Sequence, residues 1–385
     1  MSLIPTEIDH PQAKELTFHL VDSKSIRRFC RIGIADKGFK KSVLNKNIKA
    51  LSFETWQAIN EEVLGYAADH NIEKGRQVRI DCTVVESNIH KPSDSSLLWD
   101  AVRVMTRLLN RAKEDFGLGQ LQSKNHQRVA KRRMLAIQYA ANNKARKPLY
   151  KDLIKISRKC VGYTQSAIRL MEQSPSPSIS MMGLCLDMKQ ILGLTEKVIS
   201  QAERRVIYGK QVPSTEKVVS LFEPHTDIIV KDRRETFYGH KICLTGGRSN
   251  LILDCLVAKG NPADTTLTGT MLNRQNDLYG RYPLKAALDG GFASQDNLKM
   301  AKSKKIKDVC FAKKRGLKET DMCRSHYVYK KLRRFRAGIE AGISWLKRSF
   351  GLTRCTGKGL HSFKSYVWAA IVSANLLTIA RKQLA

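Results

Sequence analysis

Between Gln77 and Val85 the spacing of apolar residues drops from helical to two. Val78, Ile80, Cys82 and Val84 fall on one face of an extended segment, and Arg79, Asp81, Thr83 and Val85 on the other, because successive side chains of a strand point to opposite faces. The spacing predicts a strand with a carboxylate, Asp81, projecting from the middle of a sheet. Residues 95 to about 205 then read as helical throughout, with Leu97, Leu98, Ala101, Val102, Met105, Leu108 and Leu109 on one stripe. Whatever sheet this chain builds, its first strand is cut off from the others by a long helical insertion.

The segment before the strand also reads as helices. Ser23 to Ile34 puts Ile26, Phe29, Cys30 and Ile34 on one face and Arg27, Arg28 and Arg31 toward another, and Ser52 caps a second helix carrying Trp56, Ile59, Val63 and Ala67. Between them, GFKKSVLNKNIKAL reads as a turn and a short helix. Residues 1–74 therefore form a helical N-terminal domain; a helix-turn-helix-like DNA reader using Arg27 and Arg28 and a dimerisation scaffold fit it equally.

Strands return from Glu235. TFYGHKICLTGGRSNLILDCLVAKG reads as a hairpin with Gly246 and Gly247 in its turn, between Tyr238 to Leu244 and Leu251 to Val257. Asn261 and Pro262 open a helix, Ala263 to Leu278. Leu284 to Leu288 is a short strand that Gly290 and Gly291 turn into a helix starting near Ser294; Ile306 to Phe311 is another strand, and helices from about Leu332 and from Ser362 complete the chain. This order belongs to the α/β class: an RNase H-like mixed sheet with an all-helical insertion at about 95–205 inside a domain spanning 75–385.

Charge narrows the function. With 68 Lys and Arg against 35 Asp and Glu, the net charge is +33 and is spread along the whole length, so the expected partner is a long polyanion whose phosphates exchange counterions for Lys and Arg. The stretch KNHQRVAKRRMLAIQYAANNKARKPLYKDLIKISRKC holds Asp152 as its only acid; a face so one-sided would repel itself, which favours phosphate contact through Lys131, Arg132 and Arg133. Nine cysteines without a C-x-x-C pair point to reduced thiols in a cytosol rather than disulfides or a zinc site. MSLIPTEIDHPQ lacks the basic and apolar regions of a signal peptide. The apolar run Tyr366 to Ala380 is short for a membrane span and carries Ser373 and Asn375, so it is expected to be a buried terminal helix; no membrane partner is expected, and the location is cytoplasmic.

Acids that persist in such a chain call for a reason. Asp81, Asp289 in LKAALDGGF and Glu340 in RRFRAGIEAGISWLKRSF stand in distinctive settings. Magnesium takes hard oxygen ligands, usually one or two carboxylates with water and substrate phosphate, and two such ions suit in-line phosphoryl transfer. On a helix, Arg336, Glu340 and Lys347 project within a narrow angle, apart from the apolar stripe Phe335, Ile339, Ile343, Leu346 and Phe350; on spacing alone this is equally an ordinary surface ion pair. Asp254 is the rival of Asp289 as second ligand. His90 and Asp94 follow the first strand, in positions that a turn explains as well. His240 reads as structural, Asp264 as favourable to a helix dipole, and Trp345 as core.

Arg336, Glu340 and Lys347 match in spacing the Y-x2-R-x3-E-x6-K signature of bacterial insertion-sequence DDE transposases, with Arg333 where the signature has tyrosine. IDCTVVESNIHKPSDSSLLWD, FEPHTDIIVKDRRETFYGHKICLT, LVAKGNPADT and ALDGGFAS are also family-like, and the chain resembles most the ISNCY-like group. The resemblance implies a DNA transposase: Asp81, Asp289 and Glu340 binding two Mg2+ ions, with Mn2+ able to substitute; water cleaving at the transposon ends; and the freed 3'-hydroxyl attacking target DNA. It implies that Arg336 and Lys347 contact DNA phosphate, and that a homodimer brings together double-stranded inverted-repeat ends and target in a bacterial, nucleoid-associated setting. The competing functions are a non-catalytic DNA-binding relative or regulator, and a metal-dependent nuclease that cuts without joining.

Overall fold

The period-two segment forms β1 (Gln77–Glu86), which lies in one of two compact units: residues 89–227 make the first, and residues 11–88 with those from 228 onward make the second. The structure, a computed structural model, describes residues 11–33, 35–231 and 235–384. Most of MSLIPTEIDHPQ, the expected face position Ile34 and residues 232–234 of the FEPHTDIIVKDRRETFYGHKICLT motif lie outside the described residues.

In the second unit, α1 (Pro11–Asp22), α2 (Lys24–Phe29), α3 (Lys41–Ala50) and α4 (Phe53–Asp69) precede β1. Ser52 caps α4, accepting from the Thr55 N–H as its position predicts. The first expected helix is shorter than its apolar spacing suggests. It stops at Phe29 because Arg31 turns the chain with φ +55, and Phe29, expected on a packed face, is 88% exposed.

The helical unit contains α5 (Asp94–Phe116), α6 (Gln127–Tyr139), α7 (Asn143–Glu172) and α8 (Ile179–Ala202). Ser93 starts α5 with a reciprocal capping box with Ser96, and the stripe Leu97 to Leu109 forms the centre of its core. Buried hydroxyls of Thr106, Ser157, Thr164 and Thr195 each donate to the carbonyl four residues earlier, so the helices bury them without orphaned donors.

The sheet is completed by β2 (Asp227–Lys231), β3 (Glu235–Gly246) and β4 (Ile252–Val257), followed by α9 (Asp264–Tyr279), β5 (Lys285–Leu288), α10 (Gln295–Ser303), β6 (Asp308–Phe311), α11 (Glu319–Met322), α12 (His326–Ser349) and α13 (Gly359–Leu384). Among the described residues the order is β2-β3-β1-β5-β6, with β4 also on β3. β1 pairs antiparallel with β3 and parallel with β5, and β5 parallel with β6. β2 was not expected; five residues are too few to display an alternation. Ser325 caps α12, which begins at His326, earlier than the apolar spacing from Leu332 suggested.

Helices cover both faces of this sheet. Val78 and Ile80 belong to a core shared with Leu267 and Met271 of α9 and Leu298 of α10. Val85, Ile242 and Leu244 belong to another, with Ile339, Ile343 and Leu346 of α12 and Val367 and Ile371 of α13. At 26 residues, α13 has the length and apolarity to cross a membrane, but half of its most apolar window is buried in the fold. Asn375 shows why it is there: its amide accepts from the Ile252 N–H and donates to the Ile252 carbonyl and to Asn60 of α4.

Candidate functional site

Parallel pairing of β1 with β5 sets Ile80 opposite Leu288. Asp81 and Asp289 are the next residues of the two strands, so the register alone delivers both carboxylates to the same end of the sheet. Asp289 ends its strand and opens the tight turn at Gly290–Phe292. α12 crosses β1, β5 and β6, and the buried positions Leu332, Ile339, Ile343 and Leu346 fix which of its faces looks at the sheet.

A second feature of β1 fixes the depth of that crossing. Arg79, two residues before Asp81 and on the same face, is 5% exposed. It donates to the Phe335 carbonyl at 3.1 Å and to Asn250 Oδ1 at 2.6 Å, and lies over the Phe335 ring. Its guanidinium fits because Gly338 has no side chain: a Cβ there would stand 1.9 Å from Arg79 Nη1. Arg79 therefore pins α12 to β1 two residues from Glu340, a positioning role that sequence reasoning missed. A charged residue at an inward position of a strand was the available signal.

Arg336 links two of the acids. Its Nη1 is 2.9 Å from Asp289 Oδ1 and its Nη2 is 2.9 Å from Glu340 Oε1. Arg336 is 15% exposed, whereas Asp289 is 39% and Glu340 58% exposed, so the carboxylates face an open space and the guanidinium backs them. Asp81 lies deeper. Burial pushes its carboxyl up to about 6; the Cys82 N–H, bonded at 2.7 Å, opposes the shift, Asp289 and Glu340 add to it, and Arg336 offsets part of it. Three acids thus share one neighbourhood with one guanidinium among them. Among the described residues, no group of three or more His, Cys, Asp or Glu stands ready-made to hold a metal ion; Arg336 bridges two of the oxygens such a group would use.

The other candidates are placed elsewhere. Asp254 on β4 is held by Arg274 through two bonds of 2.6 Å, a closed fork that uses both of its oxygens. Asp94 accepts from Gln201 and Arg205 inside the helical unit, and His90 stands 3.7 Å from Asp100 in the same unit. Asp264 pairs with Lys241, His240 is buried edge-on to Phe363, and Trp345 packs edge-on to Phe350. Lys347 lies on α12 two turns beyond Glu340, half-buried. Arg27 donates to the carbonyls of Leu20, Gly33 and Asp36, while Arg28 is exposed on α2. On α6, Arg133 is paired with Asp152, whereas Lys131 and Arg132 have no carboxylate partner among the described residues. Neither Arg27 nor Arg28 of α2 joins the acidic cluster.

Carboxylates at the ends of two adjacent parallel strands and on a helix crossing them thus stand together in a strongly cationic chain. Residues 224–376 match the family model described as the transposase DDE domain. The match covers less than half of the chain and supports a DDE-type transposase domain in that segment. The matched segment holds Asp289, Arg336, Glu340 and Lys347, and stops short of β1 on the far side of the helical insertion. No curated protein and no solved structure matches the chain.

Proposed function

We propose that this chain is an insertion-sequence DNA transposase that cleaves at transposon ends and joins them to target DNA, with Asp81, Asp289 and Glu340 as its catalytic acids. The observation that carries the reading is the register: Ile80 pairs with Leu288, which sets Asp81 beside Asp289, and Arg336 joins Asp289 to Glu340. The strand order, with one antiparallel and one parallel neighbour of β1, supports an RNase H-like core; residues 1–74 are proposed as a DNA-binding or dimerisation domain.

The donor set suits Mg2+, and Mn2+ as a substitute: hard carboxylate oxygens, two of them accessible. When bound, the two ions would supply Lewis acidity and a nucleophile of lowered pKa. The chain supplies the rest. Asp81 is held in place by its buried strand and the Cys82 N–H. Arg336 orients Asp289 and Glu340 and, with Lys347, offers cationic donors to the phosphate. Arg336 takes one oxygen of each carboxylate and leaves the other oxygen of each to a cation, and a phosphodiester oxygen is a further acceptor for its guanidinium. Lys131 and Arg132 on α6, and the cations of α2, are proposed to contact DNA away from the cut. A homodimer would hold two ends at once, in the cytoplasm against the nucleoid.

The test is incubation of the full chain with labelled DNA carrying the inverted repeats that border its own coding sequence, with and without Mg2+. Nicked and joined products are expected for the native chain. Asp81→Ala, Asp289→Ala and Glu340→Ala should each abolish both products while retaining DNA binding. Full cleavage by any one of them removes that residue from the site.

A further inference from the structure

Beside Asp289 runs a groove of about 510 Å³ floored by Ala312 and Ala337. Lys313, Lys330, Arg333 and Arg334 line it, all exposed. Lys330, Arg333, Arg334 and Ala337 recur at spacings of three and four along α12, so they share one face, and the small Ala337 leaves that face open. Lys313 comes from the segment after β6. Its stem lies over Gly290, where an added Cβ would stand 2.7 Å from Lys313 Cβ; the glycine after Asp289 makes room for this cation.

These four charges are unneutralised. Lys314 and Arg324 nearby pair with Glu319 and Asp308, whereas none of the four groove cations has a carboxylate partner among the described residues. Arg336, which closes the groove toward the acids, has a buried Nε without an acceptor. Cations at this density repel one another unless an anion is interposed. Its four cations and Ala337 are exposed, which suits an anion that approaches from solvent.

We propose that this groove binds the sugar-phosphate backbone of one DNA strand next to the phosphodiester at the acidic cluster, with Lys313, Lys330, Arg333 and Arg334 contacting two or three consecutive phosphates. The proposal rests on the reading of the chain as a DNA-processing enzyme and adds the path of the strand. From position 330 to position 336 the helix rises about 9 Å at roughly 1.5 Å per residue, a length of two to three nucleotide steps at about 3.4 Å each. Arg333 stands where the signature has tyrosine, and it brings to the groove a fork able to grip phosphate with two donors.

The experiment measures binding of the full chain to a fluorescein-labelled 20-base-pair duplex by anisotropy across a NaCl series, in EDTA so that no cleavage occurs. For Lys330→Gln/Arg333→Gln/Arg334→Gln, the slope of log K against log [NaCl] should shrink by roughly 2 to 3, at about 0.9 for each phosphate left unneutralised. The charge-retaining Lys330→Arg/Arg333→Lys/Arg334→Lys should keep the native slope, and so should a control, Lys259→Gln/Lys299→Gln/Lys382→Gln, on exposed cations elsewhere. Ala337→Glu, a single exposed change that a helix tolerates, should weaken binding at least tenfold at 50 mM NaCl. A native slope in the first variant, or native affinity in Ala337→Glu, overturns the proposal. A chain that binds in this way and never cleaves removes the catalytic reading alone; one that cleaves with an unchanged slope removes the groove alone.

Discussion

Asp81→Asn should make the metal-free protein more stable while destroying its activity. The Asp81 carboxyl rises from 3.8 to about 6 in the folded chain, and each unit of such a shift corresponds to about 1.36 kcal/mol, so its ionisation costs at most about 3 kcal/mol at neutral pH. The unfolded chain ionises first as pH rises. The native protein therefore loses this increment between about pH 4 and pH 6, the deficit is complete above pH 6, and it is absent below pH 4. Asparagine carries no charge and keeps an oxygen for the Cys82 N–H. Thermal melts at pH 7.5 in EDTA should place the variant several degrees above the native chain, at roughly 2–4 °C per kcal/mol for a unit of this size, and the gap should close by pH 4. Mg2+ should raise the native melting point and leave the variant nearly unmoved. A variant that melts at or below the native temperature at pH 7.5, or a gap that persists at pH 4, refutes the account of Asp81 as a carboxylate awaiting cations.

Gly338→Ala should destabilise the fold by about 1–3 kcal/mol, through loss of the Arg79 bonds to Phe335 and Asn250, although alanine is the better helix former by about 1 kcal/mol; a chemical denaturation curve shifted toward stability would contradict the pin. Arg274→Ala should cost about 3–5 kcal/mol by stranding Asp254, and Asp254→Asn/Arg274→Gln should recover part of that loss and retain strand cleavage; loss of cleavage in a folded double variant would return Asp254 to the site. Glu73→Ala should destabilise by at least about 2 kcal/mol, since this buried carboxylate accepts from the N–H groups of Lys74, Gly75 and Ser249 and from the Ser249 hydroxyl, with a urea midpoint as the readout.

Local patterns carried most of the secondary structure. The alternation around Asp81, the glycines after Asp289 and the capping serines Ser52 and Ser294 mark elements that form where these residues place them. β2 escaped because it is a five-residue segment whose place in the sheet depends on β3. The overlong first helix shows the opposite error: an apolar spacing continued past Phe29, but no residue of α2 is buried. Proximity of Asp81, Asp289 and Arg336 was expected from resemblance and not from spacing, since strand register joins positions that no local period connects. The pairing of Asp254 with Arg274 and the fit of Arg79 into a vacancy at Gly338 are each a property of two distant segments together, which no local spacing displays.

β1 lies between partners made much later: β3 begins at Glu235 and β5 at Lys285. At a synthesis rate of about 5–20 residues per second, Asp81 leaves the ribosome roughly 10–40 seconds before Asp289. Glu340 follows later still, and α4 waits for α13 at the very end of the chain. A nascent polypeptide therefore exposes its positively charged helices for some seconds before the three acids can come together, so the cationic surface exists earlier than the acidic cluster.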